Sequence, residues 1–112
     1  MNRNKVLVEI YGADIICASC VNSPSSKDTY DWLQAAIGRK YPNQPFTIEY
    51  IDIESTIEDE RKKGIAQQIL DDEYFFPLVM IDGKMIGEGH ISLKPIFSEF
   101  EKQGYLSDSS TN

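Results

Sequence analysis

Tyr74-Phe75-Phe76-Pro77-Leu78-Val79-Met80-Ile81-Asp82-Gly83-Lys84-Met85-Ile86-Gly87 holds two apolar runs joined by an Asp-Gly pair. A two-residue type I′ turn requires positive φ at both central residues. Asp and Gly tolerate this best, so the stretch predicts a β-hairpin with Asp82-Gly83 at its tip. Proline has no N–H to give to a sheet ladder. At the head of the first run, Pro77 therefore marks a strand start or an irregular edge that faces a site.

Working outward from the hairpin, Leu93, Ile96, Phe97 and Phe100 recur at helical spacing up to Gly104. On the other side, Ile57, Ile65, Ala66, Ile69 and Leu70 give a helix with one core face. Ser55 and Glu58 are spaced as a capping box for it, and Gly64 weakens it locally. Phe46 to Ile53 alternates, with Phe46, Ile48 and Tyr50 on one side and Ile51 and Ile53 on the other, which predicts a strand. Tyr30, Leu33, Ile37 and Tyr41, with Trp32 and Ala36 beside them and Pro42 after, predict an amphipathic helix from Thr29 to Tyr41. Its start lies after Cys20, with Ser23, Ser25 or Ser26 as the cap. Tyr30, Trp32 and Tyr41 are read as core aromatics. Lys5 to Tyr11, closed by Gly12, is a β-branched and mostly apolar run of the kind found in a central strand.

The order is therefore strand, helix, strand, helix, strand, strand, helix. The first strand-helix-strand unit gives a parallel pair by a right-handed crossover, and the closing hairpin adds two mutually antiparallel strands. The expected fold is α/β, with a four-stranded mixed sheet and helices on both faces. No internal repeat or linker interrupts the chain. Residues 1–106 read as one domain and 107–112 as a disordered tail.

The chain has 112 residues, the size of a single core, and its 41% hydrophobic and 26% charged composition is that of a globular domain. Eighteen acidic residues against 11 Lys and Arg give a formal charge of −7 and a pI near 4.6. Such a surface repels phosphate backbones and anionic lipids, so neither nucleic acid nor a membrane is an expected partner. No apolar run is long enough to span a bilayer and no signal peptide is read, so the cytoplasm is the expected compartment.

The two cysteines of the chain form Cys17-Ala18-Ser19-Cys20. A pair at this spacing can close a small disulfide ring or offer two thiolates to a metal. In the cytoplasm structural disulfides rarely persist, so such a pair is more often catalytic, redox-sensing or metal-binding. His90, the only histidine, is read as a surface or helix-start residue, since two Cys and one His supply at most three ligands. Glu58-Asp59-Glu60 followed by Arg61-Lys62-Lys63 reads as a solvated helix start whose signs suit the helix dipole. No cofactor is called for.

With Cys17-Ala18-Ser19-Cys20 after the first strand, Phe76-Pro77 opening the third and Asp82-Gly83 in the hairpin, the chain resembles the thioredoxin-like superfamily in its short, glutaredoxin-sized form. The resemblance covers nearly all of Lys5 to Gly104. More closely, Ile16-Cys17-Ala18-Ser19-Cys20-Val21-Asn22 and Gly87-Glu88-Gly89 look like the YuzD-type proteins, a small bacterial family. The superfamily resemblance implies a three-layer sandwich. It also implies that Cys17 is the attacking thiolate, Cys20 the resolving thiol, and Pro77 a cis proline facing the pair. The backbone of Phe76 would then offer strand-like hydrogen bonds to a substrate. Read from the residue itself, Ser19 can donate its hydroxyl to a thiolate or stand as a solvated turn serine.

Three functions follow as expectations. The first is a thiol-disulfide oxidoreductase acting on a protein or small-molecule thiol or disulfide, as a monomer or homodimer. The second is a metal or iron-sulfur site shared by two chains through their Cys pairs. The third is a binding or dimerisation module that keeps the fold without the chemistry.

Overall fold

The structure, a computed structural model, describes residues 6–13 and 26–106. Its elements are β1 (Val6–Gly12), α1 (Ser26–Lys40), β2 (Phe46–Asp52), α2 (Glu60–Leu70), β3 (Leu78–Ile81), β4 (Lys84–Glu88) and α3 (Leu93–Lys102). The four strands form one sheet in the order β2-β1-β3-β4. β1 pairs parallel with β2 and antiparallel with β3, and β3 pairs antiparallel with β4. This is the expected α/β mixed sheet, in a thioredoxin-like arrangement.

Side chains of β1 alternate between two cores, as the two-residue period of a strand requires. Val6, Val8 and Ile10 point to one face, where Leu33 and Ile37 of α1 and Ile96 and Phe100 of α3 cover them. Tyr11 points to the other, with Ile51, Leu78 and Met80, under Ala66 and Ile69 of α2. The sheet is thus buried on both sides, which explains why β1 and β3 read as nearly unbroken apolar runs. The hairpin turns at Asp82 (φ 50°) and Gly83 (φ 84°), both in the left-handed region that its sequence predicts.

An aromatic knot closes the chain end. Phe100 stacks on Tyr41 with ring centroids 5.3 Å apart and meets Tyr105 edge-on at 5.0 Å. The Tyr105 hydroxyl donates to the Pro45 carbonyl and accepts from the Val6 N–H at 3.1 Å, which ties the residues after α3 to the start of both parallel strands.

Three local expectations change. The cap of α2 is Asp59, whose carboxylate accepts from the Arg61 and Lys62 N–H groups, so the helix begins later than a Ser55/Glu58 box would place it. Ser55 instead donates its hydroxyl to the Asp52 carbonyl in the turn that ends β2. Trp32 is 44% exposed, because it precedes Leu33 by one residue and so lies about 100° around the helix from the core stripe. Tyr30 is half-buried, edge-on to Tyr50 at 5.9 Å, while Tyr41 is fully in the core. The tail at 107–112 lies outside the described residues.

Candidate active site

β1 and β2 end, and β3 begins, at the same end of the sheet, since Tyr11 is in register with both Ile51 and Leu78. At that end two contacts fix where the chain leaves β1 and where it enters α1. The Ala13 N–H donates to Ser26 Oγ at 3.3 Å, and Ser26 is buried. A Cβ on Gly12 would lie 2.2 Å from the Ser26 Cβ, so only glycine allows the strand end to meet the helix start this closely. The Ile53 N–H also donates to the Gly12 carbonyl at 2.9 Å, binding the end of β2 to the same point. Cys17, Ser19 and Cys20 belong to the segment between these anchors and lie outside the described residues.

Across from the anchors stands the start of β3. The register of Tyr11 with Leu78 sets Pro77 beside the end of β1. The Phe76–Pro77 peptide bond is cis, and Pro77 is buried. The Pro77 carbonyl accepts from the Gly89 N–H at 2.9 Å, and the Phe75 N–H donates to Glu88 Oε1 at 2.8 Å, so the last residue of β4 and the glycine after it hold the segment on either side of Phe76. Phe76 packs its ring partly into the core under α2. Among the described residues neither its N–H nor its carbonyl has a hydrogen-bond partner, which leaves both backbone groups of this bend before β3 open to another chain.

Beneath this end lies a charged network that sequence reading missed. Glu9 sits in the middle of β1 at 1% exposure, facing α2. Arg61 donates to its Oε2 at 2.8 Å, the Lys62 ammonium stands 3.9 Å from the same oxygen, and Lys62 also bridges to Glu49 at 3.1 Å. Arg61 and Lys62 are therefore turned to the sheet, and the run from Glu58 to Lys63 is not simply a solvated helix start. A glutamate between Val8 and Ile10 is itself the signal, because a carboxylate inside an apolar strand needs a cation from elsewhere in the fold. The bond to Glu9 in turn holds the Arg61 guanidinium above its usual pKa.

Tyr11 donates its hydroxyl to Glu9 Oε1 at 3.4 Å; burial, and then the Glu9 charge, push its pKa well above the usual tyrosine value. Burial and the neighbouring Glu101 do the same for Tyr41, whose hydroxyl reaches that carboxylate at 3.2 Å. Both phenols bind their proton more tightly folded than unfolded. Their contribution to stability is thus complete below about pH 10 and is lost as pH rises through the folded-state values. In an alkaline titration followed by tyrosinate absorbance, Tyr11 and Tyr41 should ionise only together with unfolding. Ionisation of both near pH 10 with the fold intact would contradict this placement.

A groove of about 450 Å³ runs between β2 and residues 55–59, lined by Glu49, Asp52, Asp59 and Lys62 among others. Phe76 and Pro77 are not part of it. Among the described residues no three His, Cys, Asp or Glu side chains gather as metal ligands. His90 is exposed, and no described helix is long and apolar enough to cross a membrane.

Comparison with known proteins adds three findings. The family model described as "Protein of unknown function (DUF1462)" matches residues 9–101. A Bacillus subtilis (strain 168) protein named "Putative disulfide oxidoreductase YuzD" is 53% identical over 100 residues, covering 89% of this chain and 93% of the relative. A crystal structure of a protein of unknown function from Staphylococcus aureus superposes with a TM-score of 0.78 at 41% identity, covering 89% of this chain and 92% of the other.

Proposed function

This chain belongs to the DUF1462 family, and from that premise we propose that it is a thiol-disulfide oxidoreductase with Cys17 as nucleophile and Cys20 as resolving thiol. The observation that carries the reading is the meeting, at one end of the sheet, of the Phe76–Pro77 segment and the strand end from which the chain runs on to Cys17. The name borne by the Bacillus subtilis relative supports it.

In the reductive direction the Cys17 thiolate attacks one sulfur of a substrate disulfide. That S–S bond breaks, a Cys17–substrate disulfide forms, and the other substrate sulfur leaves as a thiolate. The Cys20 thiolate then attacks the Cys17 sulfur, closing the Cys17–Cys20 disulfide and releasing the second substrate thiolate. Two electrons pass from the Cys pair to the substrate, whose two thiolates take up the protons the pair gave up. A dithiol donor regenerates the reduced pair by the reverse exchange. The open N–H and carbonyl of Phe76 receive the extended substrate backbone beside Pro77, so attack occurs within a held complex. Ser19 is assigned a hydrogen bond to a thiolate. Compact thiol chemistry of this kind suits the reducing cytoplasm, the compartment proposed for it.

A Cys20→Ser variant tests the reading directly. Incubated with a disulfide-bonded peptide, it should accumulate a mixed disulfide on Cys17, detectable by intact mass and cleared by dithiothreitol. A wild-type pair that stays fully reduced across the glutathione redox range would sink the proposal. Metal analysis of anaerobically purified protein separates it from a thiolate site shared by two chains.

A further inference from the structure

Beside the open backbone of Phe76, Phe75 is 73% exposed. Water is a poor environment for a ring of this size, yet its backbone is fixed by the Glu88 carboxylate at 2.8 Å. The ring also rests on Gly89, where a Cβ would come within 3.3 Å of the Phe75 Cβ. It is thus a held apolar knob, set where a partner bound along Phe76 would meet it.

Carboxylates precede the knob in sequence and hold its backbone. Asp71, Asp72 and Glu73 lead into it, and Glu88 lies beneath. Asp71 and Glu73 accept from the neutral amides of Gln67 and Gln68. Among the described residues none of the four carboxylates stands within ion-pair distance of a Lys or Arg, whereas Glu9, Glu49 and Glu99 each have one. With no such partner among the described residues, they contribute four of the 18 acidic charges behind the net −7 of the chain. An anionic disulfide such as oxidised glutathione is repelled here. A cationic, apolar segment is attracted by both features together.

We propose that the Phe75 face docks an extended polypeptide in which an aromatic or aliphatic side chain is flanked by Lys or Arg, and that such polypeptides are the preferred disulfide substrates. The second half rests on the oxidoreductase reading. The first does not.

The test uses two cysteine-free heptapeptides that share a central Phe, one flanked by Lys and the other by Glu, titrated into the isotopically labelled full chain. The lysine peptide should shift the amide signals of Phe75, Glu88 and Gly89. Its affinity should fall about fivefold or more in Phe75→Ala, by loss of an apolar anchor, and again at high salt. Because Phe75 is exposed, the variant's dispersed spectrum verifies its fold. Equal binding of the two peptides, shifts confined to another surface, or none at millimolar peptide would overturn the docking proposal. Disulfide-bonded versions of the same peptides separate the two readings. A chain that binds the lysine peptide without reducing its disulfide keeps the docking face and loses the oxidoreductase reading. One that reduces both at equal rates keeps the chemistry and loses the preference.

Discussion

Replacing Cys17 by Ser is expected to reduce disulfide exchange by at least about a thousandfold, the scale of loss when a covalent nucleophile is removed. The chemical reason is direct. A serine hydroxyl is un-ionised at neutral pH, and an alkoxide attacking sulfur gives no disulfide that Cys20 can resolve. Turnover of a peptide disulfide with dithiothreitol as electron donor reads the effect, and Cys20→Ser, which retains the first chemical step, is the matched control. If Cys17→Ser kept a tenth or more of the wild-type rate, the nucleophile would be elsewhere. Thiolate-specific alkylation of the wild type across pH gives a second readout. An active Cys17 should titrate below the value of about 8.5 of an unperturbed thiol.

The largest stability effect is expected at Phe100. Its side chain is fully buried, stacked on Tyr41 and edge-on to Phe46 and Tyr105. Truncation to alanine removes the apolar ring and leaves a cavity whose walls, held by α1, α3 and the sheet, collapse only in part. Losses of about 3–5 kcal/mol are typical of such sites. Against the total of about 5–15 kcal/mol usual for a domain, this consumes a large share. At about 4 °C per kcal/mol the melting temperature should fall by 12–20 °C. Denaturant unfolding should show a lower midpoint at unchanged slope. A loss under about 1 kcal/mol would mean that the aromatic knot does not hold the C-terminal helix to the sheet.

Much of the fold was legible because its signals are local. Asp82-Gly83 demands left-handed backbone, Phe46 to Ile51 alternates, and Leu33, Ile37, Ile96 and Phe100 fall on helical stripes; each is readable within a few residues. What escaped depends on partners far apart in sequence or on competition between neighbours. Glu9 and Arg61 are 52 positions apart, and only the packing of α2 on β1 brings them to 2.8 Å. Ser55 fitted a cap by spacing, but the turn after β2 captured its hydroxyl first, and Asp59 took the helix. Trp32 reads as a core aromatic beside the stripe of Leu33 and Ile37, but its angular position on α1 leaves it 44% exposed. For the candidate site, Pro77 was legible as a strand start. The exposed Phe75 and its tether to Glu88 are not, because the tether joins the loop before β3 to the end of β4 at a place no motif marks.

The junction of Gly12, Ala13 and Ser26 has a consequence for how such a domain can change. The end of β1, the end of β2 and the start of α1 meet there without room for one methyl group, so even Gly12→Ala must move Ser26 and with it the helix start. Gly12 is therefore as closely fixed by the fold as any core residue, although it has no side chain to bury.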